Sequence, residues 1–228
     1  MEDGKHESPR HKYEVKTAIL IDGGFYRKRA HYYWKDKSPK DRADELNAFC
    51  MKLLKDRSEY RQLYRIFYYD CPPINKKVYH PLLKKTVDLG KSDEYKWATE
   101  FFDELKRRRK FALRLGSLSE NSAQYTLKFE AVKKLLNNTI SIDDLTDSDF
   151  QFCVEQKGVD MRIGVDIISM ALKKQVNQII LVSGDSDFVP AAKQARREGI
   201  DIILAPMGAT IKPDLHEHID GLINSVKY

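Results

Sequence analysis

The segment Ile179-Ile180-Leu181-Val182-Ser183-Gly184-Asp185-Ser186-Asp187-Phe188 joins an unbroken apolar run directly to two carboxylates. Three of the four leading residues are β-branched, and a short run of that kind closed by Ser-Gly reads as a strand buried on both faces. Charges beside a core strand are costly unless something pairs with them. The same arrangement opens the chain, where Thr17-Ala18-Ile19-Leu20-Ile21 is followed by Asp22-Gly23-Gly24. Two apolar strands that each run into Asp beside Gly place one acidic site at one edge of one sheet.

The rest of the pattern alternates strand and helix. Strands are expected at Thr17–Ile21, Leu63–Tyr69 (ended by Asp70 and Cys71-Pro72-Pro73), Phe111–Leu115, Phe150–Glu155, Gln178–Val182 and Ile200–Leu204. Helices are expected at Phe25–Tyr33, Ala43–Leu54, Glu94–Arg109, Arg162–Lys174 and Phe188–Arg197, with residues 74–92 a loop or short elements. This order predicts an α/β fold, a Rossmann-like, doubly wound and mainly parallel sheet with helices on both faces. Right-handed crossovers put the carboxyl ends of the strands on one edge, where such sheets bind ligands. The chain of 228 residues fits a flexible tail over residues 1–15 and a single domain over 16–228, with an insertion at 117–149 that is rich in Ser, Asn, Asp and Thr. Ile142–Asp149 is acidic but lacks the Gly and closing Glu of a calcium loop, and reads as solvated turns with helix caps.

A net charge of +6 favours anionic partners, nucleic acid first among them. Cys50, Cys71 and Cys153 are too widely spaced for a zinc site and argue against a disulfide framework, so a reducing cytoplasm is the expected location. No apolar run approaches the ~18 residues of a membrane span, and the polar amino terminus lacks the apolar stretch of a secretory signal.

Asp160 follows Lys157-Gly158-Val159 after the strand expected at Phe150–Glu155. Asp22, Asp160, Asp185 and Asp187 are therefore expected to converge from three strand ends. Clustered carboxylates need a counter-charge. A hard divalent cation with oxygen ligands, Mg²⁺ or Mn²⁺, answers that need. The plainer reading of any one of them is a helix N-cap, worth about 1 kcal/mol; four at equivalent junctions exceed what capping alone requires. Asp166, further along the next helix, is either a supporting contact to this site or ordinary helix surface, and Ser183 is a second supporting candidate.

Ile21-Asp22-Gly23-Gly24, Lys157-Gly158-Val159-Asp160 and Ser183-Gly184-Asp185-Ser186-Asp187-Phe188 resemble the motifs of the NYN domain in its LabA-like branch, a member of the PIN-like nucleases. Tyr68-Tyr69-Asp70 and the closing Leu215–Ile223 segment are similar to that family's pattern as well. The resemblance implies a metal-dependent ribonuclease with Asp22, Asp160, Asp185 and Asp187 as metal ligands and catalytic residues. Many relatives carry Asn shortly after the first Asp-Gly, and Phe25 occupies that stretch here.

Arg27, Lys28 and Arg29, interleaved with His31, Tyr32, Tyr33 and Trp34, suit single-stranded RNA, phosphates pairing with cations and bases stacking on rings. The competing reading puts Tyr32 and Trp34 in the core. Lys106, Arg107, Arg108 and Arg109 form a denser cluster, either a phosphate rail or the cation-rich end of a helix. Other chemistries lack their residues. A haloacid-dehalogenase-type phosphatase needs a second Asp where Gly24 stands, and no phosphate-cradling glycine loop follows an early strand. The serious alternative is a non-catalytic RNA- or protein-binding module of the same fold. Oligomeric state is not encoded in any of these features.

Overall fold

The computed structural model describes residues 13–56 and 59–224. In chain order it comprises β1 (Tyr13–Asp22), α1 (Gly23–Trp34), α2 (Pro39–Leu53), β2 (Glu59–Asp70), β3 (Lys77–His80), β4 (Lys85–Asp88), α3 (Asp93–Lys106) and β5 (Phe111–Leu115). There follow β6 (Ser117–Leu118), β7 (Gln124–Leu127), α4 (Phe129–Leu136), β8 (Phe150–Cys153), β9 (Gln156–Lys157), α5 (Val159–Leu172), β10 (Gln178–Val182), α6 (Val189–Arg197), β11 (Asp201–Leu204), α7 (Pro213–Glu217) and β12 (Gly221–Leu222). Of the tail expected over residues 1–15, residues 13–15 lie in β1 and residues 1–12 are outside the described residues.

Six strands form one parallel sheet in the order β12-β11-β10-β1-β2-β5. Its central strands are those with uniform apolar runs, because helices cover both faces. Ala18, Leu20, Ile179 and Leu181 face α5 and α6, while Ile19, Ile21, Ile180 and Val182 face α1, α2 and α3. Local signals start the helices: Ser38 accepts from the Asp41 N–H ahead of α2, with Pro39 at its first position, and Ser92 accepts from the Tyr95 N–H ahead of α3.

One expected strand leaves the sheet. β8 pairs antiparallel with β7, outside the six-stranded sheet. The reason is compositional: Phe150-Gln151-Phe152-Cys153 alternates apolar with polar and is only half buried, the mark of a strand with one wet face. Residues 117–149 contain β6, β7, α4 and short 3₁₀ turns, none of them in the main sheet. The acidic stretch caps itself, Asp144 accepting from Ser141 and Asp149 from Thr146 at 2.7–2.8 Å. Those hydrogen bonds hold both carboxyls below the usual range.

Candidate metal centre

β1 and β10 are neighbours with Ile21 opposite Val182, so the residues that follow them emerge side by side at the carboxyl edge. Asp22 ends β1 and caps α1, its Oδ1 accepting the Phe25 N–H at 3.0 Å. Asp185 lies just past β10, its Oδ1 accepting the Asp187 N–H at 3.0 Å. Ser183, fully buried, accepts the Asp185 N–H at 3.2 Å and so shapes that turn. The Phe25 ring lies against Gly184, where a methyl group would come within 3.0 Å of it, so Phe25 packs the floor between the two strand ends.

Asp160 reaches the site by another route. It stands in the first turn of α5, which follows β9 and not a strand of the main sheet, correcting the expected origin from Phe150–Glu155. β9 pairs antiparallel with β6, which starts two residues after β5 ends, and this ladder returns the chain to the carboxyl edge. Gly158 then makes the turn into α5 at φ 80°, a conformation that glycine adopts without strain.

The carboxylates act on one another. Burial raises the Asp22 carboxyl above its ordinary range; two backbone N–H bonds oppose this and the charges of Asp160 and Asp185 add to it. Asp160 is raised by desolvation and then by Asp185 and Asp187. Asp187 is exposed at the rim. Desolvation plus like charge in one cluster is the perturbation characteristic of functional sites. Among the described residues no three His, Cys, Asp or Glu side chains close into a ready-made metal cluster. The donor set is nevertheless all oxygen, which fits a hard divalent ion that takes one or two carboxylates and keeps several waters.

Beside this centre stands Asp70, at the end of β2 and only 1% exposed. It pairs with Arg27 through both carboxylate oxygens and accepts from the Tyr68 hydroxyl at 3.2 Å and the Cys71 N–H at 2.8 Å. Its position, a third strand end closed by Cys-Pro-Pro, is a sequence signal; its pairing with Arg27 is not. Arg27 is thereby committed to the fold. Arg29 likewise donates to the Met207 carbonyl at 2.9–3.0 Å and to the Tyr33 hydroxyl, whereas Lys28 is exposed. Trp34 packs against the α2 side of the core, as the competing reading has it, but Tyr32 is 64% exposed.

The structure separates two further groups from the acidic centre. α3 ends at Lys106, and the Lys110 carbonyl that follows accepts the Ile66 N–H on β2. Ile66 lies four residues before Asp70, roughly 13 Å along the strand, so Lys106, Arg107, Arg108 and Arg109 occupy the opposite, amino edge. Lys106, Arg107 and Arg108 are paired there with Asp103, Glu104 and Asp44. Asp166 turns away as well, accepting the Tyr69 hydroxyl at 2.8 Å and pairing with Arg114 Nε at 3.1 Å.

A cleft of about 930 Å³ begins at Asp70 and Arg27 and runs past Tyr95, Trp97, Tyr125 and Phe152. Among the described residues no helix is long and apolar enough to cross a membrane. No curated protein matches the sequence. The family model of the NYN domain matches residues 16–224. NYN domains are generally ribonucleases of PIN-like fold, and the parallel six-stranded sheet with helices on both faces is consistent with that fold. The chain belongs to the NYN-domain family.

Proposed function

We propose that the protein is a Mg²⁺- or Mn²⁺-dependent ribonuclease of the LabA-like branch that hydrolyses single-stranded RNA in the cytoplasm. One observation carries the reading: Asp22, Asp160, Asp185 and Asp187 gather where their charges oppose one another, and among the described residues none of the four forms an ion pair, while Asp70 next door is fully paired. Asp22, Asp160 and Asp185 would hold the ion directly or through water. Bound there, it would acidify a water and neutralise charge building on the scissile phosphate. Asp187, at the rim, would accept a hydrogen bond from the attacking water and orient it. In-line attack then leaves a 5′-phosphate and a 3′-hydroxyl. Lys28 and the aromatic cleft beside Asp70 supply contacts for unpaired nucleotides.

The test is incubation of end-labelled single-stranded RNA with the wild type, Asp22→Asn and Asp185→Asn, in Mn²⁺ or EDTA. Cleavage should require the ion and fall on the order of a thousandfold in either variant, matching the several kcal/mol a divalent ion contributes to such a transition state. Activity retained in both variants would sink the assignment. That no three ligand side chains close into a preassembled cluster among the described residues favours a second reading, a non-catalytic RNA- or protein-binding module. Metal binding with intact RNA in every lane would select it.

A further inference from the structure

A cavity of about 350 Å³ opens between α5 and the outer strands β2 and β5. Three cationic side chains line it, Arg65 from β2, Arg114 from β5 and Lys173 at the end of α5, together with the Ser169 hydroxyl and the Gln175 amide. Its one carboxylate, Asp166, is already engaged, accepting from Tyr69 and pairing with Arg114. Lys16 adds charge nearby, its Nζ lying 4.8 Å over the ring of Tyr64 on the cavity wall. Neither Arg65 nor Lys173 has a carboxylate partner among the described residues, in contrast to the paired cations at the end of α3.

Arg114 is the fixed member of the group. Its Nε is held by Asp166, and its guanidinium lies 5.3 Å over the ring of buried Phe67, so the planar head is oriented before any ligand arrives. A guanidinium fork held in place is the preferred donor for a tetrahedral oxyanion. Three cations stand against one carboxylate that is already engaged, and the Ser169 hydroxyl and Gln175 amide can donate as well, so the cavity carries an excess of positive charge.

We propose that this cavity binds a phosphate group. The group is either a backbone phosphate of an RNA strand that also reaches the acidic centre or the phosphate of a small phosphorylated molecule. The RNA form rests on the ribonuclease reading; phosphate binding itself does not.

Titration calorimetry with inorganic phosphate at low ionic strength in EDTA tests it, with the wild type and the Arg65→Ala/Lys173→Ala variant. Both replaced side chains are exposed, so the fold should persist, and an unchanged melting temperature checks this. Saturable binding by the wild type should weaken about tenfold for each charged contact removed. Arg65→Lys/Lys173→Arg, which keeps both charges, should retain binding. A companion measurement follows single-stranded RNA affinity against salt, again in EDTA so that no cleavage occurs. If the phosphate belongs to RNA, the double alanine variant flattens the log–log slope by about 0.7 per lost contact; an unchanged slope with lost phosphate binding assigns the cavity to a small phosphorylated ligand. No saturable binding by the wild type, or equal binding by the alanine variant, overturns the proposal and leaves the acidic centre untouched.

Discussion

Asp22 and Asp70 stand at the ends of neighbouring strands, Asp22 level with Tyr69 in the β1–β2 register, yet the chain treats them in opposite ways. Asp70 is buried with a guanidinium, a phenol and a backbone N–H around it. Asp22 is partly buried, has only backbone N–H partners among the described residues, and faces two other carboxylates. A paired buried charge orders structure, whereas an unpaired cluster works against the fold unless something binds to it. The contrast separates the residues that build this sheet edge from those that serve it.

Removing the cation from the paired carboxylate has the largest expected effect. Arg27→Ala leaves Asp70 buried and uncompensated, a loss of about 3 kcal/mol, at the low end for a broken buried pair because the Arg27 side chain is one-third exposed. In a chain of 228 residues that lowers the melting temperature by roughly 6–12 °C. Arg27→Met/Asp70→Asn should recover most of it, since no buried charge is then stranded. A Tm for Arg27→Ala within 2 °C of wild type, roughly the effect of 1 kcal/mol or less, would mean that Asp70 finds solvent and that the contrast with Asp22 is false.

Gly23→Ala probes the same edge sterically. A methyl there would lie 2.5 Å from Asp70 Oδ2 and 2.7 Å from the Tyr68 phenol. Neither can retreat, Asp70 being pinned by Arg27 and Tyr68 being fully buried. Overpacking of this kind costs about 1–3 kcal/mol, measurable by urea unfolding. An unaffected midpoint would show that the pair is looser than its hydrogen bonds imply.

The strands carrying Asp22 and Asp185 are legible in the chain because each is a uniform apolar run with a sharp polar stop. β8 is misread by the same rule, since its two Phe residues mimic a core strand while its Gln and half-burial belong to an antiparallel ribbon. Asp160 is rightly expected at a helix start, but the β6–β9 ladder that takes it there is only two residues long on each side and leaves no periodic signal. The roles of Arg27 and Asp166 depend on contacts 43 and 97 residues away in the chain, which no local pattern encodes. The position of Lys106–Arg109 is different. Cations between a helix and the strand it feeds lie at the amino edge of a parallel sheet, so chain order alone already sets them apart from the acidic centre.

The smallest effect, seen in metal-free protein, is also the one that reads Asp22 most directly. Its folded carboxyl titrates above the unfolded value of 3.8, so the folded chain binds that proton more tightly than the unfolded chain. Ionised Asp22 therefore subtracts stability above its folded pKa. The penalty shrinks as pH falls through that value and is absent below the unfolded one. Asp22→Asn removes the charge and keeps the cap, because Asn serves at an N-cap as well as Asp does. In EDTA at pH 7 the variant should melt at or slightly above the wild type, with the gap closing as the solution is acidified. Adding Mg²⁺ or Mn²⁺ should reverse the order, stabilising the wild type by about 2.7 kcal/mol at a hundredfold excess over Kd and the variant by less. That metal effect should fade at acid pH, where protons compete for the same oxygens. A clear loss of stability for Asp22→Asn in EDTA, with no metal response in the wild type, would make Asp22 a helix cap like any other and place it with Asp70 on the structural side of the comparison.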